Sequence, residues 1–211
     1  MHIVLNNEPI FLLEESKSAP KKRLVFVLGF GAALILCISI LALNGLVLIR
    51  SDQRGVVISA FEPNGYRAEA LAPGIHWIGP FFESVQKYSI APQSYTMSST
   101  SSEGAAQGDD SIRAQTKDGQ QVFIDASVLY AIDPTQLIKL HIAWQNRYED
   151  DVVRPIARAA IRDAFLQYNA AEINGDKGVA IQQLIENEIE QNLINNYLIL
   201  LDFTIQAVRL N

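Results

Sequence analysis

Histidines, a cysteine and a crowd of serines are the side chains that could carry chemistry in this sequence, and their spacing argues against it. His2, His76 and His141 stand tens of residues apart in unrelated contexts, and H-E-x-x-H is absent, so no zinc ligand set is spelled out. The single cysteine, Cys37, lies inside an apolar block, which rules out an intrachain disulfide and a cysteine-based metal site. Most of the clustered serines fall in "SSTSSEGAAQGDDS" (Ser98–Ser111), and no G-x-S-x-G sets a nucleophile on a strand-to-helix turn. Neither a P-loop nor a G-x-G-x-x-G follows a strand pattern. "YEDD" (Tyr148–Asp151) reads as negative charge at a helix N-terminus, where the dipole favours it. The expectation is a protein that is not an enzyme, with no catalytic residue, no metal and no cofactor.

What remains is chemistry of assembly. Arg154, Arg158 and Arg162 follow one another at i+4, and Glu186 and Glu190 do the same further on, with Glu188 nearby. In a ring of identical subunits the basic ridge of one could meet the acidic ridge of the next, a heterologous contact. The competing reading is a solvated face with local pairs such as Asp150–Arg154, each worth tenths of a kcal/mol. A second group, Trp77, Phe81 and Phe82 in "GIHWIGPFF", has the composition of a bilayer interface. Burial in the protein's own core competes with that reading.

The elements that must position these residues follow from composition. The chain has 211 residues, 49% hydrophobic, with a formal charge of −6. A negative balance makes nucleic acid an unsuitable partner. The run "LVFVLGFGAALILCISILALNGLVLI" (Leu24–Ile49) carries no charge, and about 20 apolar residues suffice to span a bilayer core. It is too long for a signal-peptide core and lacks a cleavage site, so a retained transmembrane helix over 24–49 is expected. Lys17, Lys21, Lys22 and Arg23 precede it and only Arg50 and Arg54 follow closely. The positive-inside rule then holds the tail of residues 1–23 in the cytoplasm and places the C-terminal domain outside it. Gly29, Gly31 and Ala33 suit either close helix approach or an ordinary membrane helix.

Beyond the anchor, "GVVISAF" and "YRAEAL" read as strands joined by Pro63-Asn64-Gly65, followed by a Pro/Gly-punctuated loop and another strand up to Ile90. Residues 98–111 read as a flexible loop. "TKDGQQVFIDASVLYAID" is a strand with Val122, Ile124, Ala126, Val128, Tyr130 and Ile132 on one face, entered by a type I′ turn at Asp118-Gly119. Helical spacing follows in Val152–Tyr168 and Ile181–Tyr197, then a last strand over Asp202–Leu210. The predicted fold class is α+β: a tail (1–23), a transmembrane helix (24–49), a β-rich part (50–97), a loop (98–111) and an α/β part (112–211).

Three segments carry a family resemblance. "PGIHWIGPFFESVQKYSI", "TKDGQQVFIDASVLYAIDP" and "VVRPIARAAIRDAFLQYNAAEI" resemble, in order, motifs of the SPFH or band 7 family, closest to prohibitin-like proteins. The resemblance covers about residues 48–211. It implies a β-rich membrane-proximal subdomain, an α/β subdomain and then a coiled coil, which this chain stops short of at Asn211. It also implies large membrane-bound rings or cages, made with itself or a paralogue, that organise a membrane microdomain. For prohibitins and their bacterial relatives it implies association with a membrane-anchored AAA+ protease of the FtsH type, whose access to substrates they restrict. The implied location is a bacterial inner membrane or its equivalent. The stretch over 98–111 is longer than that family's usual pattern.

Overall fold

In the computed structural model the described residues are 19–100, 102–105, 108–173, 175 and 177–210, with side chains of 19–24 and 42 excepted. The expected tail of residues 1–23 lies largely outside them. A first unit holds one helix, α1 (Ala19–Asn44); everything from Leu46 onward forms a second compact unit.

Helix α1 is 26 residues long. Its continuously described side chains run from Val25 to Leu41 and are nearly all exposed. At 1.5 Å per residue that stretch is about 26 Å, under the roughly 30 Å of a hydrocarbon core. Among the described residues no helix is long and apolar enough to cross a membrane. The C-terminal boundary expected from hydropathy is corrected as well. The helix stops at Asn44, whose side-chain amide donates to the Ile40 carbonyl at 2.8 Å and so satisfies one of the last, otherwise orphaned acceptors. Residues 46–49 are instead a strand, β1 (Leu46–Ile49).

Strand β1 pairs antiparallel with β3 (Gly74–Trp77), and β2 (Gln53–Ser59) with β4 (Glu83–Ser89). Gly55 in β2 marks a close approach: a Cβ there would stand 2.8 Å from a Val85 methyl. The expected strand at "YRAEAL" is reduced to two isolated bridges, Ile58 to Tyr66 and Gly55 to Leu71. Between those bridges the chain bends, and the Arg67 side chain reaches Glu83.

The main sheet is organised by β7 (Gln121–Ile132). On one edge its first half pairs with β6 (Ile112–Gln115) and its second half with β5 (Gln93–Met97). On the other edge β8 (Leu198–Leu210) runs along nearly its whole length, with two register shifts. β5 therefore pairs within this sheet and not with β2 or β4. All six residues of the expected apolar face, Val122 to Ile132 at period two, are buried. Against the sheet pack α3 (Arg154–Phe165), through Ala157, Ile161, Ala164 and Phe165, and α5 (Gly178–Asn195), through Ile181, Ile185, Ile189 and Leu193. Two short helices, α2 (Leu137–Ala143) and α4 (Ala170–Ile173), and a 3-10 turn over Gln145–Arg147 lie between these elements.

Two local features follow from single residues. A π-helical turn over Glu149–Val153 leads into α3. Pro155 has no N–H to give the carbonyl four residues back and its ring crowds that carbonyl, so the turn ahead of it widens. The β6–β7 connection is not the expected type I′ turn. Only Gly119 has positive φ (+86°), and its N–H donates to the Thr116 carbonyl at 2.9 Å, the pattern of a type I turn closed by a left-handed glycine. Gly119→Val should lower stability by about 1–2 kcal/mol, because a β-branched side chain strains the left-handed region. Chemical denaturation of wild type and variant checks this; equal midpoints would contradict the turn assignment.

Candidate functional site

Directly opposed residues of an antiparallel pair share a face. The β1–β3 register sets Leu46 opposite Trp77 and Leu48 opposite Ile75, so one face of this ribbon is wholly apolar. All four side chains are exposed, Trp77 by 57% and Ile75 by 73%, while Ile49, on the other face, is buried. The connection from β3 to β4 adds Phe81 and Phe82, with Phe61 against Phe82 at 5.0 Å between ring centroids. Phe81 is 85% exposed and its backbone sits in the left-handed region, φ +71°, which a bulky residue adopts only at a cost of order 1 kcal/mol. Of the two sequence readings of Trp77, Phe81 and Phe82, burial in the chain's own core is therefore excluded. Leu46, Leu48, Ile75 and Phe61 belong with them and were missed. Leu46 and Leu48 were absorbed into the hydropathy of the preceding helix.

Glu83 holds that loop in place. It accepts two hydrogen bonds from Arg67, at 3.1 and 2.7 Å, and one from the Gly79 N–H at 2.6 Å. Burial opposes its ionisation, but the Gly79 N–H, Arg67 and Ser59 outweigh it and keep the carboxyl below its ordinary range. Lys87 Nζ donates to the Leu48 carbonyl at 2.9 Å, so a cation stands at the margin of the apolar ribbon.

The arginine ridge turns out to have partners inside the chain. Asp110, 4% exposed, accepts from Arg154 at 2.5 Å, from Arg158 at 3.0 Å and from the Tyr95 hydroxyl at 3.3 Å. Arg158 also reaches the carbonyls of Asp110 and Ser111. The Tyr95 phenol is pushed up to about 12 by burial and by the Asp110 charge. Arg162, exposed, donates to the Arg113 carbonyl at 3.2 Å. Glu186 is half-buried and Glu190 exposed on α5, and among the described residues neither is in an ion pair. The two ridges are thus not joined within one chain, and local Asp150–Arg154 pairing is replaced by Asp110. Asp110 was missed because nothing in a polar stretch distinguishes one aspartate from its neighbours. That stretch is anchored where described: Ser98, Asp110 and Ser111 are buried, and Asp125 on β7 accepts from the Ser99 N–H at 3.2 Å.

Two further carboxylates join distant segments. Asp125 takes both guanidinium nitrogens of Arg209 on β8, at 2.7 and 2.8 Å, and Arg209 with the Ser99 contacts holds its carboxyl below the usual range against burial. Asp118, in the β6–β7 turn, accepts from Thr116 and from the Ala170 N–H at 3.1 Å, while Lys117 N–H donates to the Tyr168 carbonyl. Glu172 reaches back to the Asn169 N–H at 2.8 Å, half of a capping box on α4. "TKDG" and "YNAAE" therefore lock onto each other. Among the described residues no three His, Cys, Asp or Glu side chains are grouped so as to hold a metal.

The described residues from Leu46 onward form an α+β unit with an exposed apolar ribbon and carboxylates that join separate segments. The chain matches the SPFH domain / Band 7 family over residues 47–211, well over half its length, and it belongs to that family. It is similar to "Prohibitin-2" of Dictyostelium discoideum, 25% identical over 145 residues, covering 69% of this chain and 44% of that protein. The chain thus spans less than half the length of this relative, and it is prohibitin-like within the family.

Two outcomes are expected. Asp110→Ala leaves Arg158 (19% exposed) without its counterion. A fully buried pair broken this way costs about 3–5 kcal/mol, and partial exposure reduces the expected loss to roughly 2–3 kcal/mol by denaturant unfolding. A loss under about 0.5 kcal/mol would show the cluster to be solvent-screened. Glu83 and Asp125 have folded values below their unfolded ones, so their stabilisation is full above the ordinary carboxylate range and is lost as pH falls through the depressed values. Melting temperature should be level above about pH 5 and drop on acidification, with a shallower acid limb in Arg209→Ala. An acid limb of unchanged slope in that variant would contradict the assignment.

Proposed function

We propose that this chain is a membrane-anchored scaffold that oligomerises laterally into a large ring or cage and organises a membrane microdomain. The observation that carries the reading is the apolar face of the β1–β3 ribbon, exposed in a chain of the SPFH / Band 7 family. A contiguous apolar face of this kind is a contact surface, since isolated soluble domains rarely leave one uncovered.

Its proposed counterpart is the bilayer. The described side chains of α1 fall short of a full span on their own, but the uncharged sequence from Leu24 to Asn44 is about 32 Å long as a helix. With the lysines and arginine ahead of it, this supports a single-pass anchor with the N-terminus cytoplasmic and residues 46–211 on the extracytoplasmic side. Only Gly45 separates α1 from β1 in sequence, and Trp, Phe and Leu side chains are favourable in the interfacial zone of a bilayer.

A second reading makes the assembly a regulatory subunit for a membrane-anchored AAA+ protease. The resemblance of Val152–Ile173 to the prohibitin pattern supports it, and co-purification of such a protease with the tagged chain separates it from a pure scaffold. The scaffold itself is tested by the particle mass of gently detergent-extracted protein. One narrow population of many subunits is expected; a monomer at every concentration would overturn the proposal.

A further inference from the structure

With Arg154 and Arg158 taken up by Asp110, two guanidiniums on that side of the protein are left without a carboxylate: among the described residues neither Arg113 nor Arg162 forms an ion pair. They lie together. Arg162 Nε donates to the Arg113 carbonyl, and both side chains line an open cleft of about 440 Å³ with Gln121, Phe123 and Leu166. The Arg113 guanidinium lies over the Phe123 ring, 5.6 Å from its centroid, a cation–π contact that uses no N–H donor. Two forked cations beside an apolar floor suit carboxylates borne on a partly apolar helix. Nearby acids do not pair with them directly. Asp163 follows Arg162 on α3, and Asp109 feels the Arg113 charge, but neither comes within 4 Å of either guanidinium.

Helix α5 carries the complement. Glu186, Glu190 and Ile194 recur at i+4; Glu190 and Ile194 are exposed, and neither glutamate is in an ion pair. Arg162 on α3 and Leu166, the residue that caps its C-terminus, stand at the same spacing, both exposed. Each stripe therefore sets a charge one turn ahead of a large apolar side chain, and the charges are opposite. We propose that the Arg113–Arg162 cleft is a docking surface for a second copy of this chain, receiving Glu186 and Glu190 of that copy while Leu166 packs against its Ile194. This rests on the scaffold reading and names its lateral contact. The two patches differ, so the contact is heterologous, and its repetition builds a ring or open array rather than a closed dimer. Arg154 and Arg158 take no part.

The test is a charge exchange in the full chain, read by particle mass after gentle extraction. Arg113→Glu with Arg162→Glu, and separately Glu186→Arg with Glu190→Arg, should each reduce the large species at least tenfold. The four substitutions together should restore it. A wild type that is already monomeric removes both this inference and the scaffold reading. A large wild-type particle with unchanged mass in either pair, or with no recovery in the fourfold variant, overturns the docking alone. Unchanged mass with less anionic phospholipid co-purified would assign the cleft to a lipid head group, and overturns it too. Folding defects are bypassed by oxidative cross-linking in a Cys37→Ser background. Arg162→Cys with Glu190→Cys in one chain should give a ladder of disulfide-linked multimers, and either substitution alone should not. An intact particle without a ladder overturns the contact.

Discussion

Strand β7 is the constraint on which the rest of the second unit depends. Its backbone is hydrogen-bonded along both edges, to β5 and β6 on one side and β8 on the other, and its apolar face is the floor on which α3 and α5 pack. A strand buried on one face has a strongly specified register, because a slip by one residue would expose Val122, Ile124, Val128 and Ile132 together. That fixed register puts the Asp125 side chain within hydrogen-bond reach of Arg209, whose backbone partner is Phe123, and of Ser99, and it puts Tyr130 where its hydroxyl donates to Glu149 at 2.7 Å.

Several carboxylates extend the same logic. Asp110, Asp118, Asp125 and Glu83 each accept from at least two donors drawn from separate segments. Each cross-links two parts of the chain far apart in sequence. An acid used in this way is spatially committed. Exposed beside these cross-links are the apolar face of β1 and β3, Arg113 on β6, Arg162 on α3 and Glu190 on α5.

Legibility in the sequence followed the strength of the physical signal. The period-two run in β7 and the helical stripes in α3 and α5 could be read directly, because burial on one face leaves a pattern that survives without context. The end of α1 could not. "LVLI" is as apolar as the helix before it, and only its pairing with Gly74–Trp77 makes it a strand. Asp110 was invisible because its role depends on α3 arriving from more than forty residues away. The turn type was misjudged for a related reason: Asp-Gly fits two hairpin geometries, and the docking of Asp118 on the α4 N-terminus accompanies the one adopted. Trp77, Phe81 and Phe82 were recognisable by composition, but whether they faced inward or outward was decided only by the β1–β3 register and the Glu83 clamp.

The central claim is that the β1–β3 face meets the bilayer, and it is tested most directly through Trp77. In a Trp144→Phe background Trp77 is the sole tryptophan. The full chain reconstituted in bilayers with lipids brominated at different acyl depths reports where that indole sits. The account predicts a blue-shifted emission quenched most strongly by the shallow bromines. Red-shifted emission, unquenched at every depth, would place the ribbon in water and contradict it.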